Sequence, residues 1–234
     1  MKQSIFTGNS LISIGKLLFG FPAPIILCLL LNEVRSLKFK KVVQTISYLP
    51  HFISWVVLAS IVQTILSPSS GVVNYIIQLL GGEPIFFMGS SDWFRKVIVG
   101  SSIWRDTGWQ TVVFMAAILS IDPQLYEAAD LDGAGRFQKM IYVTLPCIAP
   151  TIIIMFIMAT GNVIQDDFDQ IYNMLNAKVM DVGDVIGTYT YRMGIEKMNF
   201  SYATAVGLFK NVVSLILVTF TNAFSRKLSG SSLW

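Results

Sequence analysis

Charged side chains are scarce in this chain. Lys, Arg, Asp and Glu make up 13% of it, against 53% hydrophobic residues, where a soluble domain carries about 25% charge. Histidine occurs once, as His51. That excludes a multi-histidine metal site, and one histidine inside an apolar run is a poor base for a hydrolase triad. Cys28 and Cys147 are the two cysteines. They lie far apart, each in or beside an apolar run, where a thiol packs as a small apolar group rather than closing a disulfide. A phosphate-cradling loop needs G-x-x-x-x-G-K-[ST]. The nearest approach is Gly15-Lys16, with Ser10 at the first glycine position and Leu17 after the lysine. The net charge is only +3, and no basic run is interleaved with aromatics, so nucleic acid is excluded as a partner. No cofactor or metal is expected. Internal repeats and low-complexity tracts are also lacking.

What the chain has instead is long apolar runs. Its mean hydropathy is +0.61, which points to lipid as the solvent. Residues 11–31, 42–66, 97–121, 147–165 and 203–224 each approach or exceed the roughly 20 residues that a helix needs to cross a bilayer. They predict an all-α, polytopic membrane protein of five spans, one domain over residues 1–234. The first run is too long for a signal-peptide core and more runs follow it, so no cleavage is expected. Pro22 and Pro24 predict a kink in the first run. Tyr48, Pro50, His51 and Trp55 break up the second. Between the second and third runs, "VVNYIIQLL" is a short helix candidate for the membrane face. Residues 166–202, with their Tyr and Met, read as an interfacial or gate region.

Orientation follows from Lys and Arg in the short loops. Residues 32–41, 122–146 and 225–234 hold eight: Arg35, Lys38, Lys40, Lys41, Arg136, Lys139, Arg226 and Lys227. The opposite side holds six over longer loops: Lys2, Arg95, Lys96, Lys178, Arg192 and Lys197. The bias predicts the N-terminus outside and the C-terminus in the cytoplasm.

A charge at the bilayer centre costs about 2.5–3.5 kcal/mol on insertion scales, so each one in a span needs an account. Lys16 and Lys210 lie roughly 7–11 Å inside the outer ends of their runs, and snorkelling to the interface is expected. Arg105 and Asp106 lie deeper. Adjacent residues on a helix do not face each other, so each is expected to pair with another helix or to line a polar cavity. Trp104 and Trp109 flank them, and aromatic faces beside polar groups suit sugar rings. The same four residues also read as structural glue between helices, with interfacial tryptophans. Asn162 and Gln165 end the fourth run, with Asp166, Asp167 and Asp169 beyond. They read either as part of a pathway or as a solvated loop entry.

The stretch "YEAADLDGAG", Tyr126 to Gly135, sets an acidic small-residue helix and a glycine break between two apolar runs. Asp122 can cap a helix and Pro123 fits its first position. Leu125, Ala128, Ala129 and Asp132 share one side at helical spacing, and Gly133 can end the helix at positive φ. A second short helix, "RFQKMIYVTL", then turns back, and Pro146 opens the fourth span. The object is a helix–glycine–helix hairpin suited to docking, or an ordinary amphipathic loop.

Glu127-Ala128-Ala129, Gly133, Val143 and Leu145-Pro146 resemble the signature of permease subunits of bacterial binding-protein-dependent ABC importers. That signature reads Glu-Ala-Ala, three residues, Gly, nine residues, Ile, one residue, Leu-Pro; the single departure, Val143 for Ile, is conservative. "QTISYLPHFISWVV", "DPQLYEAADLDGAGRF" and "FSYATAVGLFKNVV" are similar to the oligosaccharide and polysaccharide permeases related to the maltose system. The resemblance implies the five-span type I (MetI-like) importer core in the bacterial cell membrane, moving oligosaccharides or related sugars. It implies that the 122–146 loop is a coupling helix seated on a cytoplasmic ABC ATPase subunit. It also implies a second permease subunit as heterodimer partner and an extracellular substrate-binding protein. The chain itself then does no bond chemistry. A further span that relatives often carry before this core is not seen. The competing function is a secondary transporter driven by an ion gradient. That would need intramembrane acids and inverted repeats, and Asp106 is the only acid well inside a run.

Overall fold

The computed structural model describes residues 2–230 and 232–234 and is all-helical among them. α1 (Lys2–Gly15) passes through a π turn at Lys16–Gly20 into α2 (Pro22–Glu33). Thr7–Glu33 forms one helix long and apolar enough to cross a membrane. The interruption expected at Pro22 therefore takes the form of a widened turn, and the helix continues. Proline lacks an N–H and its ring crowds the carbonyl four residues back; a π turn just before it relieves both faults.

The second apolar run is not one straight helix. α3 (Leu37–Tyr48), a 3-10 turn at Leu49–Phe52 and α4 (Trp55–Ile65) replace it, with a bend of 108° between the two arms. Ser36 starts α3 by accepting a hydrogen bond from the Phe39 N–H. Pro50 removes a donor, Ile53 is extended at φ −84° and ψ 133°, and Ser54 starts α4 in the same extended region. The 11 residues of α4 span about 16 Å, half a bilayer. This run can cross only as a broken pair.

α5 (Val72–Leu79) is the short helix expected from "VVNYIIQLL". Asn74 pins it: its side-chain amide donates to the carbonyls of Leu66, Ser67 and Ile85 and accepts from the Ile85 N–H. Val72, Tyr75, Ile76 and Leu79 are left exposed. α6 (Ser91–Leu119) has 29 residues, about 43 Å, more than the hydrocarbon core requires. A 70° bend then leads into α7 (Pro123–Leu131).

α8 (Arg136–Lys139), a π turn at Met140–Thr144 and α9 (Leu145–Gly161) follow. They run together as one helix over Arg136–Gly161. The second short helix expected after the glycine break is thus the base of the next span, and Pro146 sits inside it just behind a π turn, as Pro22 does. At the far end of α9 come α10 (Phe168–Met174), α11 (Met180–Gly183) and α12 (Ile186–Tyr191). A third π turn, Arg192–Glu196, precedes α13 (Phe200–Ser229).

Two apolar clusters hold the bundle. One joins Ile12 of α1, Trp55 and Leu58 of α4, Phe94 and Ile98 of α6, and Ile171 and Met174 of α10. The other joins Cys28 and Leu31 of α2, Phe114 and Ile118 of α6, and Ile148 of α9. Cys28 is buried there as the sequence suggests, whereas Cys147 is exposed. Gly108 lets α3 lie against α6, because a Cβ there would run into the Ser47 carbonyl. α13 packs on α9 along one side, yet none of its most apolar window is buried. An apolar surface of that extent suits lipid or another helix bundle, not water.

Candidate functional site

Between the π turn of the first span, the middle of α6 and the end of α9 lies a cavity of ≈ 400 Å³. α6 brings Ser102, Asp106 and Gln110, spaced four apart, and the adjoining Thr107 to its wall, as neighbours on one side of a helix. α9 and the segment after it bring Asn162, Gln165, Asp166 and Asp167, and the first span brings Ser13 and Lys16. The wall is rich in amide, hydroxyl and carboxylate groups, each able to bond a polyhydroxylated ligand.

Of the pathway residues read from the sequence, Asp106, Asn162 and Gln165 converge on this cavity. The Gln165 side-chain amide also donates to Asn211 Oδ1 at 3.2 Å and Ser214 Oγ at 3.4 Å, tying the wall to α13. Trp104, Arg105 and Trp109 do not line it. Trp104 is exposed on another face of α6. Trp109 stacks on the His51 ring at 5.0 Å between centroids and 4° between planes. The two tryptophans therefore do not form a pair of sugar-stacking faces in this cavity.

Arg105 and Asp106 differ from expectation in one respect: the neighbours do touch. Arg105 Nη1 lies 3.3 Å from Asp106 Oδ1, because a long guanidinium can reach back to the next residue even though the Cβ vectors diverge. Both also bind across to the broken second span. His51 Nδ1 is 3.0 Å from Asp106 Oδ1, and Arg105 Nη2 donates to the His51 carbonyl at 3.4 Å. Arg105 further lies over the Trp55 ring at 4.7 Å. Arginine thus satisfies a carbonyl that the 3-10 break would leave without a donor.

The two span lysines do not snorkel; each has a carboxylate. Lys210 Nζ is 2.7 Å from Asp166 Oδ1, with side chains 12% and 4% exposed, and the other Asp166 oxygen accepts from the Gly187 N–H. Lys16 Nζ is 2.6 Å from Asp167 Oδ2 and donates to Gln170 Oε1 at 2.6 Å. Asp166 is therefore not part of a solvated loop entry but a buried tie from α9 to α12 and α13. The sequence carries a signal for these pairs: two lysines inside apolar runs and an Asp-Asp doublet beside one, in a chain with few charges. Gln170, buried and central, carries no such mark.

The loop hairpin lies at the other end of α6 and α9. Asp122 caps α7 by accepting from the Gln124 N–H at 2.9 Å, and Gly133 closes it at φ +75°. The Gly133 N–H bonds the Asp130 carbonyl and the Ala134 N–H bonds the Ala129 carbonyl. Gln138 accepts from the Gly135 N–H to start the returning helix. Tyr126 Oη lies 2.9 Å from Thr144 Oγ1, which locks α7 to that helix. This turns Ala129 half inward and leaves Gln124, Leu125, Glu127, Ala128, Asp130 and Leu131 exposed. Leu131 is 90% exposed. Val143 and Leu145 are half-buried in the returning helix and Pro146 is exposed.

The sequence profile of the binding-protein-dependent transport system inner membrane component family matches residues 20–230. Protein LplB of Bacillus subtilis (strain 168) is 47% identical over 218 residues, 93% of this chain and 69% of that protein. The polygalacturonan/rhamnogalacturonan transport system permease protein YteP of the same organism is 44% identical over 214 residues, 92% of this chain and 67% of that one. Among solved structures, a chain of the bacterial alginate ABC transporter, in complex with alginate pentasaccharide-bound periplasmic protein, superimposes with a TM-score of 0.94. It is 42% identical, and the match covers 98% of this chain and 80% of that one. The chain belongs to the binding-protein-dependent transport system inner membrane component family and is a multi-pass permease subunit of an ABC importer.

Proposed function

We propose that the chain carries an oligosaccharide or related sugar across the membrane by alternating access. ATP is hydrolysed on a separate ABC ATPase subunit that seats against the 122–146 hairpin. The observation that carries this reading is mechanical. α7 leaves Leu125, Glu127, Ala128 and Leu131 exposed, and it is joined through residues 120–122 to α6 and through residues 132–135 and the Tyr126–Thr144 hydrogen bond to Arg136–Gly161, the two helices that also form the cavity wall. Asp106 lies 13 residues before the end of α6, about 20 Å away along the axis. A push on α7 therefore moves the wall, because a packed helix transmits displacement rather than absorbing it. The amide- and hydroxyl-rich lining fits a sugar, and several relatives are named as permeases for oligosaccharides or polysaccharides.

A second permease subunit completes the passage by covering the apolar face of α13 and the open side of the cavity. An extracellular binding protein delivers the sugar. The N-terminus is outside and the C-terminus in the cytoplasm, which puts α7 on the ATPase side. The test is uptake by the whole importer in proteoliposomes, powered by ATP or by an imposed ion gradient, with wild-type and Ala128→Trp permease. ATP-dependent uptake is expected. Ala128→Trp should insert normally but lose the co-purified ATPase or uncouple hydrolysis from uptake. Uptake driven by the ion gradient alone, or full coupling in the variant, refutes this reading.

A further inference from the structure

The two lysine–aspartate pairs beside the cavity are built differently, and the difference points to a ligand. Lys210 and Asp166 are both almost fully buried, and Asp166 is also committed to the Gly187 N–H. That pair is a fixed tie. Lys16 is 19% exposed, its partner Asp167 is 49% exposed, and both line the cavity. Lys16 has a second, permanent partner. Gln170 is fully buried, and its amide nitrogen donates to the Ile98 carbonyl at 2.7 Å and to Ser101 Oγ at 2.9 Å. Those two bonds fix which end of the amide is oxygen, and the oxygen points at the ammonium. The cation is therefore held in the wall by a neutral buried acceptor, while its counter-ion is a half-exposed carboxylate.

We infer that Lys16 is the receptor for a carboxylate on the transported sugar, and that Asp167 occupies this position until the sugar displaces it. The inference rests on the proposed saccharide permease function and specifies the class: an acidic, uronate-bearing oligosaccharide. Exchange keeps the charge balanced. Asp167 returns to water at small cost because half of it is already there, and the sugar carboxylate takes its place on an ammonium with three donors. The other acids of the wall do not oppose this. Asp106 keeps Arg105 and His51 beside it, and Asp166 keeps Lys210. A neutral sugar offers no compensation for separating Lys16 from Asp167, so it leaves the pair closed. Selectivity between acidic and neutral sugars then comes from this exchange.

The test uses the whole importer in proteoliposomes with its binding protein, and a matched pair of probes: α-1,4-linked trigalacturonate and the same trisaccharide with its carboxyls reduced to alcohols. The acidic member should be taken up in preference to the neutral one. Asp167→Asn removes the internal competitor, so the KM for the acidic trisaccharide should fall about three- to tenfold, as it does whenever the competent fraction of a site rises. Lys16→Met removes a charged hydrogen-bond donor and should lower acidic uptake about tenfold or more, and with it the acidic-to-neutral uptake ratio. The binding protein is unchanged throughout, so shifts in the acidic-to-neutral ratio belong to the permease. Asp167 is half exposed, so its variant keeps the fold and remains decisive if Lys16→Met inserts poorly. Equal uptake of both probes by the wild type, uptake of neither, or an unchanged ratio in Asp167→Asn overturns the inference. ATP-driven uptake of the neutral probe alone overturns it too, yet leaves the saccharide permease reading standing; that reading falls if no saccharide is taken up on ATP.

Discussion

Asp166 shows at the residue scale how one side chain can organise three helices. Its carboxylate sits just past α9, takes the Lys210 ammonium of α13 on one oxygen and the Gly187 N–H of α12 on the other. A buried pair of this kind contributes little net stability against an apolar replacement, but breaking it from one side strands a charge and costs about 3–5 kcal/mol. Lys210→Met should therefore lower the thermal stability of the purified importer strongly, as should Asp166→Leu. The double variant should recover much of the loss. Thermal unfolding of the three variants in detergent gives the coupling directly, and additive losses would show that the two groups do not act as a pair. Gly108 provides a second residue-scale test. Its missing side chain is what lets the Ser47 carbonyl approach, so Gly108→Val should push α3 off α6 and destabilise by about 1–3 kcal/mol. An unchanged melting temperature would refute that close approach.

Gly133 acts on an element rather than on a contact. Nothing lies within 4 Å of the Cβ it lacks, and its φ is +75°. Any penalty for a side chain there is conformational, about 1–2 kcal/mol for an ordinary residue in the left-handed region and more for a β-branched one. That is enough to shift the end of a short exposed helix and too little to unfold the spans. Gly133→Val should insert at wild-type levels while losing ATPase co-purification, whereas Gly133→Asn, which tolerates the left-handed region, should retain it. Equal ATPase retention in both variants would show that the glycine conformation does not aim α7. The π turns are the other elements of note. Among the described residues, two of the three end two residues before a proline, at Pro22 and Pro146, and let apolar spans continue where a regular helix would bend or break.

The whole molecule presents far more apolar surface than a monomer in water could carry. Leu208, Leu215 and Phe220 of α13 are each more than 60% exposed, and so are Leu18 and Phe19 of the first span. The proposed orientation is tested at this scale with single cysteines in a Cys28→Ala, Cys147→Ala background. A cysteine at Ser69, in the exposed loop before α5, should react with an impermeant thiol reagent added outside intact cells. A cysteine at Ala134, in the hairpin, should react only after the membrane is opened. The reverse pattern would invert the topology and remove α7 from the ATPase side.

Apolar run length, lysine and arginine bias, and the spacing of Glu127, Ala128, Ala129, Gly133 and Leu145-Pro146 are all properties of the sequence. They determined the helical membrane class and the hairpin, because a bilayer demands about 20 apolar residues per crossing whatever the tertiary contacts, and because caps and glycine stops act within a few residues. Asp122 and Gly133 could be read that way. Tertiary structure alone decided what the polar residues inside the spans do. Lys16 meets Asp167 across 151 positions and Lys210 meets Asp166 across 44, a pairing that no local period encodes. Trp109 is taken up by His51 instead of the cavity because the second run breaks at Pro50 and swings its 3-10 turn against α6. Gln170, which reads as an unremarkable polar residue in the sequence, becomes the fixed acceptor for Lys16 only once α10 lies against α6, since burial and two occupied donors are what leave its oxygen a single direction to point.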